Sequence, residues 1–449
     1  MIESIVANTR MTGREQRASA DRRDAHYVQG KNLNTQLVLL ASLLIAVAPL
    51  GKARCDELAT VPASGVFPLI CFPGPPAEDN VLAHWQKIKE ANFTIVLPVH
   101  RYTDTDQQRM LDHCEQLGLK AVVNVKKLVP PSAADTPPPG WREEVQRAAG
   151  LFGNHPALFG YMIKDEPGAD LFPQMGRIAR AFREDDPQHG VCANLFPTHA
   201  TVEQLAAADY AEYLQRYMKT VNPPFLCYDH YPFLLSGCDR PDFFLNLELA
   251  RSAALRHGKP LWTIVLSSWW QHFRTPSAGE MRWQVYGALA YGVKGLGYFT
   301  YWPARDDYTA VVDYQGNATT LYNVIRDLNS EVLAMGPTLL QLESTAVYHT
   351  GATIPDGCKR LPADAVIQLP AEKPLVAGFF KDASRVQYTM IVNRNYHKSV
   401  SVVADLSPQI DAISMVNKQR GQLDPVEMNG RRASFELPAG GGVLLRLAK

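Results

Sequence analysis

Leu158-Phe159-Gly160-Tyr161-Met162-Ile163-Lys164-Asp165-Glu166-Pro167 is an apolar run that ends abruptly in three charged residues and a proline. The run over 158–163 is too short for a buried helix and predicts a strand covered on both faces, as in a parallel sheet. The charges then fall at the strand's C-terminal end, where Pro167 stops the ladder.

Working outward from this strand, similar short apolar runs lie at 67–72, 94–99, 121–125, 191–195, 225–228, 261–266 and 295–301. Amphipathic stretches separate them. Trp85, Ile88 and Ala91 share one face of the first helix, and Ser277 with Glu280 forms a capping box ahead of Met281, Val285 and Leu289. Eight such units predict an α/β fold, a (β/α)8 TIM barrel over residues 56–342 whose last helix spans 320–342. The competing open, doubly wound sheet carries a glycine-rich phosphate turn after its first strand. Here that turn reads Pro73-Gly74-Pro75-Pro76. Beyond the barrel, alternating segments at 386–392, 399–403, 433–437 and 443–447 predict a C-terminal all-β sandwich over 343–449.

At 449 residues the chain has room for a barrel and an appendage, and 46% hydrophobic residues suffice for a large core. Lys+Arg and Asp+Glu both total 45, so no field draws in nucleic acid or an anionic membrane surface. The partner expected is neutral and polyhydroxylated, a carbohydrate. Residues 1–55 form a polar leader followed by an apolar stretch over 36–50, with Lys31 before it and Gly51 and Ala53 after it. This is the pattern of a secretory signal peptide cleaved after Ala53, or of an uncleaved membrane anchor, with Met11 as an alternative start. Either places the folded body outside the cytoplasm, with membrane contact only through the anchor. Arg54 before Cys55 argues against lipidation. Cys71, Cys114, Cys192, Cys227, Cys238 and Cys358 lack the spacing of a zinc site and most are expected as core residues, although Cys227 and Cys238 could bridge in an oxidising compartment.

In a barrel the working face is built just beyond the strand ends. Those positions hold His100, Arg101 and Tyr102 after strand two, Asn124 and Lys126 after strand three, and Lys164, Asp165 and Glu166 after strand four. Asn194 follows on strand five, then Tyr228, Asp229, His230 and Tyr231, then Ser267, Ser268, Trp269 and Trp270, and finally Tyr298, Tyr301 and Trp302. Acids, amides and aromatic rings together suit a site that holds a sugar ring and protonates its leaving oxygen. Glu166, Asp229 and Asp165 are the candidate catalytic groups. His100, Arg101, Asn124, Lys126, Asn194, Tyr228, His230, Tyr231, Trp269, Trp270, Tyr301 and Trp302 are the candidate substrate contacts. His100, His230 and Asp229 lack metal-ligand spacing, so neither metal nor cofactor is expected.

The segment 160–167 resembles the fourth-strand motif of the large clan of retaining TIM-barrel glycoside hydrolases, whose usual form is Asn-Glu-Pro, with Asp165 in place of the Asn. The resemblance implies that Glu166 is the general acid/base and that Asp165 accepts the substrate 2-hydroxyl. It extends to Trp302 as an eighth-strand platform, to Arg101 and to the sandwich tail. Residues 276–302 are also similar to bacterial glycosidase-like barrels. The clan's nucleophile, a Glu at the end of strand seven, has no counterpart in Thr263-Ile264-Val265-Leu266-Ser267-Ser268. Hydrolysis normally needs a second carboxylate, about 5 Å away as nucleophile or about 6.5–9.5 Å away as a base for water. Asp229 is the first candidate. Asp165 is the second, since adjacent Asp-Glu pairs resemble hexosaminidases, in which the Asp orients the substrate's own acetamido nucleophile. Asp306 and Asp307 come third. The structural counterparts are that Asp165 pairs with Lys164 or Arg101, and that Asp229 only orients His230. The alternative function is a catalytically inactive, glycan-binding barrel.

Overall fold

The structure, a computed structural model, describes residues 65–98, 102–130 and 137–448. The leader with the expected signal or anchor and its cleavage point at Ala53, as well as His100 and Arg101, lie outside the described residues. Among the described residues no helix is long and apolar enough to cross a membrane.

The barrel strands are β1 (Leu69–Phe72), β2 (Ile95–Val96), β3 (Lys120–Asn124), β4 (Leu158–Asp165), β5 (Gly190–Asn194), β6 (Leu226–His230), β7 (Leu261–Leu266) and β8 (Gly295–Phe299). They form one eight-stranded sheet in the order β5-β4-β3-β2-β1-β8-β7-β6. A parallel bridge between Leu195 and Tyr228 closes its two edges. The helices are α1 (Leu82–Glu90), α2 (Asp104–Leu117), α3 (Trp141–Phe152), α4 (Phe172–Asp185), the short α5 (Val202–Leu205), α6 (Tyr210–Val221), α7 (Phe243–Arg256), α8 (Ala278–Ala290) and α9 (Thr320–Gln341). The capping box read at Ser277 is formed: the Ser277 hydroxyl accepts from the Glu280 amide while the Glu280 carboxylate accepts from the Ser277 amide. Arg274 closes over that carboxylate at 2.6 Å, so the one acid buried at this helix start is paired.

Strand two is shorter than the 94–99 expected from its apolar run. Leu97 still donates to the Cys71 carbonyl at 2.9 Å, but Pro98 has no N–H with which to continue the ladder. The barrel interior is set by alternation. Ile70, Val122, Met162, Cys192, Cys227 and Ile264 line one internal cavity, and Phe225 stacks on Trp262 at 3.8 Å at its floor. Cys227 therefore stands inside the barrel, whereas Cys238 is exposed on a loop; both are free thiols, and the bridge between them is not formed.

Strands β9 (Glu343–His349), β10 (Ile367–Gln368), β11 (Leu375–Lys381), β12 (Gln387–Asn393), β13 (Val400–Leu406), β14 (Ala412–Val416), β15 (Leu423–Pro425), β16 (Met428–Asn429), β17 (Arg432–Leu437) and β18 (Gly442–Ala448) form the tail. They make an antiparallel sandwich of a six-stranded and a four-stranded sheet. Its core holds Ile391, Val402, Phe435 and Leu445 between the layers. The sandwich packs tightly on the barrel, with which it shares one compact unit. A β-carbon at Gly378 of β11 would stand 2.0 Å from the Ala290 carbonyl oxygen at the end of α8, and one at Gly279 of α8 would stand 2.1 Å from the Tyr396 carbonyl oxygen.

Candidate active site

Three carboxyl groups converge at the C-terminal mouth of the barrel, and a break in β4 arranges two of them. Met162 pairs with Cys192, but the next pairs are Lys164 with Ala193 and Asp165 with Asn194, so Ile163 is an inserted residue, a β-bulge. Without it, strict alternation from the inward Met162 would aim Lys164 into the barrel and Asp165 out. The extra residue inverts that parity. Asp165 turns inward beside Asn194, and the Lys164 amine reaches away to the Pro130 carbonyl at 3.4 Å. Glu166 follows at φ +45°, a left-handed conformation costly for a side chain with a β-carbon, while its N–H donates to the Asn194 carbonyl at 2.8 Å. Such strain is kept where the surrounding structure over-determines it, and it marks functional positions more often than others.

Asp165 accepts a hydrogen bond from the Asn194 amide at 3.2 Å and lies 3.5 Å from the Lys126 ammonium. Lys126, read from the sequence as a substrate contact, is thus an ion-pair partner of Asp165, while Lys164 reaches the Pro130 carbonyl instead; Arg101, the other partner considered from the sequence, lies outside the described residues. Asp229 enters from the opposite side of the seam. It pairs in register with Ile264, which lines the interior, so its carboxyl points inward. Asp229 is buried, and its Oδ1 atom has no hydrogen-bond partner among the described residues.

Burial and mutual repulsion shape the titration. Desolvation first, then the charges of Asp229 and Asp165, push Glu166 up to about 9, against a smaller pull down from Lys126. Desolvation and the Asp165 charge push Asp229 up to about 7, while hydrogen bonds from Tyr231 and Asn194 pull it down. At neutral pH Glu166 therefore carries its proton, the state that a general acid needs.

An aromatic wall borders these groups. Tyr231 stacks on Phe299 with centroids 5.3 Å apart, and Trp270 meets Phe299 edge-on at 5.3 Å. Trp269 is half-buried and packs on Tyr308 at 5.3 Å. Sequence reading missed Phe299, Tyr308 and Phe273, which meets Tyr231 edge-on at 5.4 Å; the period-2 pattern of strand eight from Gly297 to Phe299 was the available signal for the first.

Other expected contacts are turned elsewhere. Tyr228 and His230 alternate with the inward Cys227 and Asp229 and so face the helix layer, where both are at most 1% exposed. Neither is available to a ligand in the barrel. Asp229 does not orient His230, whose ring bonds Asn246 instead at 3.0 Å. Tyr301 is buried against Phe93 at 5.5 Å, also on the helix side. Trp302 is buried edge-on against His84 at 4.9 Å. Asn124 spends its carbonyl oxygen on the Lys126 amide at 3.0 Å, which fixes the loop that carries the lysine. Asp306 and Asp307 are exposed, the latter paired with Arg305.

The end of β7 is filled. Ser267 donates to the Thr300 carbonyl at 3.2 Å and Ser268 to the Phe299 carbonyl at 3.3 Å, so both hydroxyls brace β7 against β8 where the clan carries its nucleophile.

No protein-family model matches the sequence, and no curated protein matches it. Solved structures do match. A structure titled a glycoside hydrolase shares the fold at TM-score 0.56 and 10% identity, over 85% of this chain and 92% of the other. A glycoside hydrolase family 5 structure from Bacteroides vulgatus aligns at TM-score 0.51 and 12% identity, over 85% and 89%. An Anoxybacillus alpha-amylase aligns at TM-score 0.50 and 12% identity, over 85% and 98%. The chain therefore has the fold of glycoside hydrolase TIM barrels with a β-sandwich tail.

Proposed function

We propose that the protein is an exported glycosidase, a hydrolase of the O-glycosidic bonds of an oligo- or polysaccharide. Glu166 donates a proton to the leaving oxygen, and Asp229 assists from across the barrel mouth. The observation that carries this reading is the convergence of Glu166, Asp165 and Asp229, with a protonated acid held between two other acids beside an aromatic wall. Asp165, fixed by Asn194 and Lys126, adds to the burial and the Asp229 charge that keep Glu166 protonated, and offers an acceptor for a substrate hydroxyl or amide. The Oδ1 atoms of Asp229 and Asn194, buried without a donor among the described residues, suit the hydroxyl groups of a sugar ring.

One observation favours a second reading. The end of β7 is occupied by serines committed to the backbone of β8, so the barrel could bind glycans without cleaving them. A panel of glycans separates the two: the glycosidase reading expects release of reducing sugar by the wild type, and none by Glu166→Gln or Asp229→Asn at unchanged circular dichroism. Hydrolysis by Glu166→Gln at the wild-type rate, or saturable binding with no turnover across the panel, contradicts it.

A further inference from the structure

On the helix side of β6, back to back with Asp229, His230 meets His199 from the loop after β5 and Asp242 at the start of α7. The Nε2 atom of His230 stands 3.4 Å from Asp242 Oδ1, and the Nδ1 atom of His199 stands 3.9 Å from Asp242 Oδ2. One donor atom from each of the three residues falls within 4.8 Å of the other two.

The protonation of His230 follows from its neighbours. The Asn246 carbonyl oxygen accepts the Thr198 backbone N–H at 2.9 Å, and the Asn246 amide donates to the Tyr210 hydroxyl at 2.9 Å, which fixes the orientation of that carboxamide. His230 Nδ1, 3.0 Å from the same oxygen, must therefore be the N–H donor. In the neutral tautomer with its proton on Nδ1, the ring turns an Nε2 lone pair toward a carboxylate oxygen. That atom is buried in a residue only 1% exposed and has no hydrogen-bond partner among the described residues; His199 Nδ1, buried in a half-buried residue, likewise has none among them. Lone pairs and a carboxylate facing one another repel unless a cation lies among them.

We infer that His199, His230 and Asp242 form a binding site for a divalent transition-metal ion of the zinc class. Two imidazoles and a carboxylate are a common ligand set for such an ion, and bonds of about 2.0–2.2 Å place neighbouring tetrahedral ligands about 3.4 Å apart. The His230 to Asp242 separation already has that value; His199, on a loop, needs only a small approach. The outer shell is built as metal sites require, with Asn246 holding the far nitrogen of His230 and the Thr198 hydroxyl holding Asp242 Oδ2 at 2.5 Å. The Arg240 guanidinium, 5.8 Å from the centroid of the Phe273 ring, also acts through its charge on both histidines and on Asp242. Because His230 faces away from the barrel interior, the ion does not touch a ligand in the mouth. It ties the loop after β5 and the start of α7 to the strand that carries Asp229.

The test is calorimetric titration of the full chain, stripped with chelator and dialysed, with Zn2+ and separately with Co2+ monitored by its d–d absorption. The expected result is one tight equivalent per chain and a low-coordinate cobalt spectrum without sulfur charge-transfer bands. Affinity should fall at least about 100-fold in His199→Ala and in Asp242→Asn, and about 10–100-fold in Asn246→Ala. His199 and Asp242 are partly exposed, so these variants keep the test independent of any folding defect in a His230 variant. No saturable binding by the wild type, undiminished binding in both ligand variants, or a thiolate signature in the cobalt spectrum would each overturn the inference.

Discussion

The Lys126 ammonium stands 3.5 Å from Asp165 Oδ2, and the same carboxylate accepts from Asn194 at 3.2 Å. Beside burial and the Asp229 charge, this pair tunes Glu166: the Asp165 charge raises its pKa and Lys126 lowers it. Asp165→Asn removes the raising charge and leaves Lys126 without its carboxylate partner, so both changes act in the same direction. The alkaline limb of the rate profile should move down by about one pH unit, read from kcat/KM against pH. An unmoved limb would mean that Asp165 does not act on Glu166.

The wild-type profile follows from the two raised carboxyls. Glu166, raised to about 9, must keep its proton, and Asp229, raised to about 7, must lose one. Activity is therefore expected to fall as pH drops through about 7 and again as it rises through about 9, with both apparent values belonging to the interacting pair. Asp229→Asn should abolish the acid limb along with most of the rate. A persistent acid limb in the residual activity would assign that titration to another group.

Stability carries the same signature with a defined sign. Between the ordinary carboxyl pKa of about 4.3 and the raised value of about 9, the folded chain holds a proton at Glu166 that the unfolded chain has lost. That contribution is lost as pH rises across the window. Glu166→Gln removes it, so the variant should melt higher than wild type at pH 8, on the order of 2 °C, with a smaller gain or none at pH 5. Thermal melts at the two pH values check this; an equal shift at both would show that the cost of ionising Glu166, set by burial and by its acidic neighbours, is not the cause.

How much of this was legible in the sequence depends on which interactions decide each feature. Local apolar runs and caps decide the barrel strands, and so the eight units, the capping box at Ser277 and the sandwich tail could be read directly. The acids at the ends of β4 and β6 were visible for the same reason. The bulge at Ile163 was not, because it is a property of pairing between β4 and β5, and it decides whether Asp165 or Lys164 enters the barrel. Tyr228 and His230 were misplaced by treating a strand end as a cluster when alternate residues face opposite ways. His199, His230 and Asp242 come from three separate segments that only the closed barrel brings together. Of the sandwich, the short strands β10, β15 and β16 carry too few residues to show a period.

The barrel and sandwich are expected to unfold together. Gly378→Val would drive side-chain atoms into the Ala290 carbonyl, where even a β-carbon stands at 2.0 Å. Overpacking of this kind costs about 1–3 kcal/mol or more. Denaturant unfolding should show a lower midpoint in one transition seen by both barrel and sandwich probes. Two separated transitions would show that the contact does not couple them.

The central claim is that Glu166 protonates a leaving group, and leaving-group chemistry tests it directly. On a glycoside with an alkyl leaving group, Glu166→Gln should lose about 10²–10⁴-fold in kcat/KM, the usual worth of general acid catalysis. On the matching 2,4-dinitrophenyl glycoside, which departs without a proton, bond cleavage in the variant should fall by no more than about 10-fold. Equal losses on both substrates, or no loss on either, would contradict the account.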